Sequence, residues 1–234
     1  MNLGVMQPYL FPYLGYFQLV NAVDVFVFAD DVNFIKGGFI NRNKILLNNE
    51  EYIFTVPLAN KSQNKLINEI QISEKFKGYP EGIIQTIKQA YKKAPFFKDV
   101  FPIIESVFQS DIQNISKLAA SSVESVSKYL EIKVDFKYSS LSFNHTKGEE
   151  RSMRLINITK ELGFSTYTNP IGGKNIYCKK YFESLGVKLN ILETEDLSYA
   201  QFNDNFIPNL SIIDVMMFNS KENCNKLLTK YRIT

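Results

Sequence analysis

Apolar and polar positions at the start of the chain predict a strand, a helix and a second strand in quick succession. Residues 3–6 form a short apolar run that ends at Gln7, and helical spacing covers residues 17–23. Residues 24–29 are β-branched and aromatic, which is typical of a buried strand. Because these elements follow one another so closely, they indicate a βαβ unit and a parallel sheet with a Rossmann-like start.

Further along, short strand patterns give way to longer stretches with helical spacing. Residues 41–47 and 52–57 are predicted strands joined by a turn at 48–51, and residues 67–72 alternate as another strand would. Since no repeat or linker separates these elements, we expect one α/β domain over residues 1–234. It has a central mixed, mainly parallel sheet and a helical insertion at 78–130. The other predicted strands are 134–138, one that ends at 166–167, and 187–192; the predicted helices are 80–91, 96–108, 114–130, 149–162, 179–185, 211–219 and 221–230.

The composition is that of an ordinary globular protein. Hydrophobic residues make up 45% and charged residues 22% of the chain, so wholesale disorder is excluded. The formal net charge is +3, from 27 basic and 24 acidic residues, and this balance gives no reason to expect DNA as a partner. The 13 tyrosines suit a pocket that stacks on a polar ligand and hydrogen-bonds to it.

The sequence carries none of the usual signals for export, membrane insertion or metal binding. Prolines interrupt the apolar residues near the start, and no apolar run approaches the ~20 residues that span a bilayer. Cys178 and Cys224 are far apart, so neither a disulfide framework nor metal-ligand spacing is present. We therefore expect a cytoplasmic protein with reduced thiols, no metal and no membrane insertion.

The first group of candidate site residues follows the second predicted strand. Asp30 and Asp31 stand where that strand ends, and ligands bind at the carboxyl ends of the strands in parallel sheets. An aspartate can hold an amine or sugar hydroxyls or accept a proton, whereas lysine and arginine can hold phosphate. The alternative is a turn cap and a surface ion pair. The remaining members of this group are Asn33, Lys36, Asn41, Arg42 and Asn43.

The second group surrounds His145, the one histidine of the chain and a candidate general base. Thr146 and Lys147 precede a predicted helix, whose amino terminus would attract an anion. Arg151 and Arg154 share a face of that helix, where they would clamp a phosphate or pair with neighbouring glutamates. A loop histidine that only hydrogen-bonds to backbone is the alternative for His145.

The third group lies in the segment "YTNPIGGKNIY". Gly172 and Gly173 follow a predicted strand, and glycines there let the backbone approach a ligand closely. The pair matches neither the GxGxxG fingerprint nor the Walker A loop, and many such pairs only make a turn. Asn169 and Tyr177 flank it and supply polar and aromatic groups.

Near the first predicted strand, Gln7, Tyr9 and Tyr13 are further candidates for binding a ligand. The segment Tyr13-Leu14-Gly15-Tyr16 has the spacing of the HxGH signature of class I nucleotidylyl transferases, with tyrosine in place of both histidines. Those imidazoles stabilise a phosphate transition state, so their absence argues against adenylation chemistry. A nucleotide-binding enzyme of that type remains an alternative.

Several longer motifs resemble those of the WbqC-like family, which occurs in bacterial loci for O-antigen and other surface polysaccharides. The resemblance covers nearly the whole chain. It rests on "MQPYLFPYLGYFQLV", "DVFVFADDVNFIKGGFINRNKI", "YKKAPFF", "TYTNPIGGKNIY", "YAQF" and "PNLSIIDVMMFNS".

The resemblance implies a transferase of lipopolysaccharide and O-antigen biosynthesis that adds an acyl or aminoacyl group to a nucleotide-linked amino sugar. Such a reaction needs an activated acyl or aminoacyl donor, which an acyl carrier or an aminoacyl-tRNA would bring; any other cofactor is unknown. A non-catalytic protein that binds a nucleotide sugar is the alternative. The chemistry of the candidate residues is compatible with this activity: phosphate binding for Lys36, Arg42, Lys147 and Arg154, binding of the amine or hydroxyls for Asp30 and Asp31, ring contacts for Tyr9, Tyr13 and Tyr177, and proton acceptance for His145 or Asp31.

Overall fold

The structure is a computed structural model that describes residues 1–77 and 80–234. It is an α/β fold built on a central sheet of six strands. The strands are β1 (Asn2–Met6), β2 (Val25–Phe28), β3 (Arg42–Leu47), β4 (Glu50–Thr55), β5 (Leu58–Ala59), β6 (Gln71–Ile72), β7 (Asp135–Tyr138), β8 (Thr166–Pro170), β9 (Lys188–Thr194) and β10 (Tyr231–Ile233).

Helices connect most of these strands, and 3-10 turns occur at Ile67–Glu69, Asn144–Thr146 and Ile171–Gly173. Within the described ranges, no helix is long and apolar enough to cross a membrane. The α-helices are α1 (Leu14–Asn21), α2 (Glu74–Lys77), α3 (Glu81–Tyr91), α4 (Phe97–Phe108), α5 (Ile115–Tyr129), α6 (Ser139–Ser142), α7 (Arg151–Glu161), α8 (Lys179–Ser184), α9 (Ile212–Phe218) and α10 (Lys221–Leu228).

The strand order in the central sheet is β10-β9-β8-β1-β2-β7. The pairs from β9 through to β7 are parallel, and β10 runs antiparallel at the edge. The predicted α/β class and the mixed, mainly parallel sheet are therefore confirmed. From β1 the chain proceeds to β2 and β7 on one side, whereas β8, β9 and β10 lie on the other. The order thus reverses between β1 and β8, and ligands of such sheets bind at that point.

Alternating side chains of the central strands face two separate cores. Leu3 on β1 and Val25 on β2 pack with Ile156 of α7 in one core. Phe26 on β2 faces the opposite side, where it packs with Phe17 of α1. Because both faces are covered by helices, the strands are apolar on both sides, as parallel sheets are.

The helical segment predicted at 78–130 is present as α3, α4 and α5, while Gly78 and Tyr79 lie outside the described residues. Buried side chains of these helices, such as Val100 and Ile104, belong to the same core as Phe26 of the central sheet. The division of the chain into one domain with an insertion stays a prediction.

Two local predictions need correction. Residues 67–72 form a 3-10 turn and the two-residue strand β6, because Leu66 N–H is held by the Glu69 carboxylate in a capping arrangement. The turn between β3 and β4 is only Asn48-Asn49, since both adopt positive φ, 54° and 63°, which suits a tight hairpin. The sequence also gave no sign of β10, an exposed edge strand of three residues.

Candidate functional site

A cavity of about 720 Å³ lies where the strand order reverses. Its wall includes residues that directly follow the carboxyl ends of four parallel strands: Gln7 after β1, Ala29 after β2, Ser139 after β7 and Ile171 after β8. The volume lies in the range of small-molecule binding sites, about 300–1,000 Å³. The position is the one at which open α/β sheets bind their ligands.

Many of the residues predicted from sequence meet in this cavity, although they come from three separate segments of the chain. They include an unpaired amide, tyrosine rings, two guanidinium groups and the glycine pair. The predicted residues that line the cavity are Gln7, Tyr9, Tyr13, Arg151, Arg154, Asn169, Gly172, Gly173 and Tyr177.

Arg154 is fixed in the wall by two contacts behind it. Its Nη2 donates to Asp31 Oδ2 at 2.6 Å, and its Nε donates to Thr146 Oγ1 at 3.0 Å. The Asp31 side chain is 1% exposed and the Arg154 side chain 13% exposed. A guanidinium carries five N–H donors, so Arg154 keeps donors free for a ligand while its orientation is set from behind.

Asp31 itself does not line the cavity. Its Oδ1 accepts from the Ser139 hydroxyl at 2.5 Å, in addition to the contact with Arg154. Burial raises the pKa of the Asp31 carboxyl, but the hydrogen bonds from Arg154 and Ser139 and the charge of Arg154 outweigh it, so the pKa is lowered overall. Asp31 is therefore ionised at neutral pH and supports Arg154.

Asp30 holds the beginning of α6. Its Oδ1 accepts from Ser140 N–H at 2.9 Å, and its Oδ2 accepts from the Ser140 hydroxyl at 2.6 Å. Its backbone N–H also lies 3.2 Å from Ser139 Oγ. We expected these aspartates to hold the amine or hydroxyls of a ligand, but neither lines the cavity, because both carboxylates turn toward α6 and α7.

Asn169 lies near the carboxyl end of β8 and forms a polar part of the cavity wall. Its Oδ1 accepts from the Tyr167 hydroxyl at 2.8 Å, and its Nδ2 donates to Pro170 O at 3.0 Å. A Cβ on Gly173 would lie only 1.6 Å from Asn169 Nδ2 and 3.2 Å from Tyr177 Cδ2. Glycine at position 173 therefore leaves room for the Asn169 side chain beside the loop after β8.

Several polar side chains in the wall have no partner among the residues that the structure describes. Among the described residues, the Gln7 amide and the Arg151 guanidinium make no hydrogen bond or ion pair. Burial raises the pKa of the Tyr9, Tyr13 and Tyr177 hydroxyls, so each keeps its proton near neutral pH and can donate. Unpaired donors that converge on one cavity are what a binding site for a polar ligand requires.

The segment Tyr13-Leu14-Gly15-Tyr16 divides between cavity and core. Tyr13 precedes α1 and lines the cavity. Tyr16 is fully buried, and its hydroxyl donates to Gln7 O at 2.9 Å. The second tyrosine thus fixes the backbone at the end of β1, and only the first faces a ligand.

His145 and Lys147 lie outside this cavity. His145 Nε2 is 2.9 Å from Glu161 Oε2, and the histidine side chain is 62% exposed. Lys147 is exposed, and it is absent from the cavity wall. Thr146 is buried, and it reaches the site only through Arg154.

The residues that follow Asp31 in the first predicted group also lie elsewhere. Asn41 and Asn43 are buried and donate to backbone carbonyls, Asn41 to Val56 O and Asn43 to Leu10 O and Phe11 O. Arg42 donates to the carbonyls of the Gly37-Gly38 turn. Asn33 and Lys36 are exposed and do not line the cavity. Their predicted binding roles stay predictions without a contact to this site.

Sequence reasoning did not single out several residues of the site. Among the described residues that line the cavity, Glu149 is the one with a carboxylate, and its Oε2 accepts from Asn157 Nδ2 at 2.9 Å. Ile35, Ile171 and Ile176 also line the cavity. No sequence signal distinguished these isoleucines from core residues, whereas Glu149 lies next to the second predicted group. No cluster of His, Cys, Asp and Glu that could hold a metal occurs in the part of the chain that the structure describes.

A second polar cluster, away from the cavity wall, surrounds Asp214. Its Oδ1 accepts from the Tyr91 hydroxyl, and its Oδ2 accepts from the Tyr199 hydroxyl and Gln201 Nε2, each at 2.7 Å. The Ser211 hydroxyl caps α9 by accepting from Ile213 N–H, but Asp214 does not complete a capping box because its carboxylate binds these three donors. This cluster ties the loop before α9 to α3.

Comparison with known proteins relates these features to one family. The model of the WbqC-like protein family matches residues 7–226 of the chain. The "Uncharacterized protein Rv1507c" of Mycobacterium tuberculosis is 22% identical over 218 residues, which cover 92% of this chain and 92% of that protein. No solved structure matches the chain. The matched range includes every residue of the cavity wall from Gln7 to Tyr177.

Proposed function

Because the chain belongs to the WbqC-like protein family, we propose that it binds a nucleotide-linked amino sugar and transfers an acyl or aminoacyl group to the amine. The reaction would belong to bacterial surface-glycan biosynthesis, as the O-antigen context of the family suggests. The observation that carries the proposal is the cavity at the reversal of strand order, whose lining includes Arg151, Arg154 and the hydroxyl-bearing rings of Tyr9, Tyr13 and Tyr177.

The two arginines suit the diphosphate of such a substrate. Arg154 is held in one orientation by Asp31 and Thr146, and Arg151 is on the same helix without an ion pair among the described residues. Guanidinium groups bind phosphate oxygens by charge-assisted hydrogen bonds, each worth about 1.5–3 kcal/mol. A guanidinium oriented before binding loses less side-chain freedom when the ligand arrives.

The remaining polar groups suit the sugar and the base. Tyr9, Tyr13 and Tyr177 offer ring faces and hydroxyl donors, and Gln7 offers an unpaired amide. The amine must lose a proton when it is acylated, and Glu149 is the carboxylate that faces the cavity. In this proposal Asp31 acts through Arg154, and Glu149 takes the role that sequence reasoning gave to His145 or Asp31.

The proposed compartment is the cytoplasm, where nucleotide-linked sugars are made. Cys178 and Cys224 are both free thiols, which is compatible with a reducing environment. The proposed partners are the nucleotide sugar and a carrier that brings the activated acyl or aminoacyl group.

A non-catalytic nucleotide-sugar binder is the second candidate. It is favoured by one observation, that none of the three predicted catalytic residues, Asp30, Asp31 and His145, lines the cavity. The nucleotidylyl-transferase alternative is weakened because Tyr16, in the second signature position, is a core residue.

The test combines binding with product analysis. Calorimetric titration with UDP- and dTDP-linked amino sugars, and with UDP alone, should give saturable binding to the wild type. Arg154→Met should weaken it by roughly 10- to 100-fold, as loss of a charged hydrogen bond predicts. Arg232→Met removes an exposed arginine of β10 and should change nothing. Equal binding by wild type and Arg154→Met would overturn the proposed site.

Mass analysis then separates the two candidates. The protein is incubated with the bound sugar nucleotide and a panel of acyl and aminoacyl donors. A mass increase equal to one acyl group supports the transferase, and saturable binding with no product from any donor supports the non-catalytic binder.

A further inference from the structure

The mouth of the cavity carries exposed isoleucines from two separate loops. Ile35, in the loop after β2, is 49% exposed; Ile171 and Ile176, in the loop after β8, are 42% and 54% exposed. All three line the cavity, and we refer to them as the apolar rim. Isolated surface isoleucines are ordinary, but apolar residues grouped around one opening indicate a binding surface.

The apolar rim continues inward along the cavity wall. Val32 and Phe39 are partly buried in the same loop as Ile35, and Leu155 and Ile158 are buried on α7. The cavity therefore has an apolar side in addition to its polar side with Arg151. The diphosphate and the amino sugar are strongly polar, and the proposed function assigns the base to the tyrosine rings, so no group of the nucleotide sugar is assigned to this apolar side.

The carboxylates near the site limit what the apolar side can accept. Asp31 is engaged by Arg154 and Ser139, and Asp30 by Ser139 and Ser140. Among the described residues that line the cavity, only Glu149 has a carboxylate that can bind an amine. A donor with its own ammonium group would compete with the amino sugar for that carboxylate and would place its charge against isoleucine side chains, at a desolvation cost.

We propose that the apolar rim binds the uncharged aliphatic chain of an acyl thioester, which makes the donor an acyl group and not an aminoacyl group. The proposal rests on the proposed function for the identity of the acceptor. The amine nitrogen attacks the thioester carbonyl carbon, the C–N bond forms and the C–S bond breaks. The proton lost by the amine passes to the leaving thiolate by way of Glu149, so the products are an amide and a thiol.

The probes are two thioesters of N-acetylcysteamine that differ in one group. Butyryl-N-acetylcysteamine ends in a methyl group, and β-alanyl-N-acetylcysteamine has an ammonium group in its place. Binding is measured by ligand-observed NMR, and product formation by mass analysis with a UDP-linked amino sugar. Butyryl thioester should bind at least about tenfold more tightly than β-alanyl thioester.

Rim variants locate the effect. Ile176→Ser and Ile35→Ser should each weaken binding of the butyryl thioester by about fivefold or more, because they remove apolar contact area. Neither change threatens folding, since both side chains are about half exposed. Ile53→Ser is the matched control, because Ile53 is 44% exposed on β4 and does not line the cavity.

The two proposals fail in different ways. Equal or tighter binding of β-alanyl thioester, or rim variants that bind butyryl thioester as the wild type does, would overturn the aliphatic site even if UDP-linked amino sugars bind. A preference for butyryl thioester that the rim variants abolish supports the aliphatic site, and it does so even if no nucleotide sugar binds and the proposed acceptor is wrong.

Discussion

Arg154 Nη2 donates to Asp31 Oδ2 at 2.6 Å, which joins two residues that are 123 positions apart in the chain. Asp31 does not line the cavity itself. Its carboxylate lies behind Arg154, which does. Asp31 therefore sets the orientation of the Arg154 guanidinium, and of these two residues only Arg154 lines the cavity.

The first prediction concerns the stability of this pair. Arg154→Met leaves the Asp31 carboxylate buried without its cation and should lower the free energy of unfolding by about 3 kcal/mol. Asp31→Asn with Arg154→Met should cost less than the two single changes added together, by at least about 1 kcal/mol. Urea unfolding of the wild type, the two single variants and the double variant measures the coupling. Strict additivity would mean that the ion pair does not form.

The second prediction tests the glycine beside Asn169. Gly173→Ala would place a Cβ at 1.6 Å from Asn169 Nδ2, so Asn169 must leave its contact with Tyr167. We expect ligand binding to weaken by about tenfold, which corresponds to about 1.4 kcal/mol. Gly172→Ala is the neighbouring control, since a Cβ there meets nothing within 4 Å. Calorimetric titration of both variants with a UDP-linked amino sugar compares them, and equal losses would contradict this explanation.

A third prediction separates the two candidate proton acceptors. His145 is on the surface beside Glu161, so His145→Ala should leave turnover within about twofold of the wild type. Glu149→Gln keeps the shape of the side chain that faces the cavity and removes its charge, so turnover should fall by roughly 10²–10⁴ if it is the base. Steady-state assays with equal amounts of folded protein decide between them. A large loss of turnover in His145→Ala together with a small loss in Glu149→Gln would identify His145 as the base.

The fourth prediction is a pH dependence that originates at Asp214. Burial raises the pKa of this carboxyl more than the hydrogen bonds from Tyr199, Tyr91 and Gln201 lower it. A carboxyl whose pKa is raised by folding contributes stability that is complete below its unfolded pKa of about 3.9 and is lost as the pH rises through the folded pKa. The wild type should therefore lose this contribution progressively as the pH rises from about 4.

Asp214→Asn removes that titration, so the stability deficit of the variant relative to the wild type should be larger at pH 4 than at pH 7. Urea unfolding at the two pH values measures it. Asp204→Asn changes an exposed aspartate in the loop before α9 and should show no such difference. A deficit for Asp214→Asn that is larger at pH 7 would contradict the raised pKa.

The sequence predicted the sheet well because its strands are short apolar runs with clear ends. Gln7 and Gly173 each follow a predicted strand, and both line the cavity at one edge of the sheet, whereas Asp31 and His145 also follow predicted strands and do not line it. Parallel strands share the direction of their carboxyl ends, and this follows from topology without knowledge of side-chain contacts.

The direction of individual side chains could not be predicted in the same way. Asp30 and Asp31 follow a buried strand, but their partners Ser140 and Arg154 come from segments more than a hundred positions away. Asn43 has the polar character of a ligand-binding residue, yet its side-chain amide donates hydrogen bonds to the backbone carbonyls of Leu10 and Phe11. Such long-range satisfaction of backbone groups leaves no local pattern in the sequence.

The order of strands in the sheet also has a consequence for how the chain is made. β1 lies in the interior of the sheet, between β2 and β8, and Asn2 on β1 hydrogen-bonds to Thr168 on β8 across 166 positions. At ribosomal rates this interval takes on the order of ten seconds or more, during which one edge of β1 has no neighbour. An open strand edge can pair with other nascent chains. The middle of this sheet is thus completed late in synthesis, and we expect aggregation in cells to begin there.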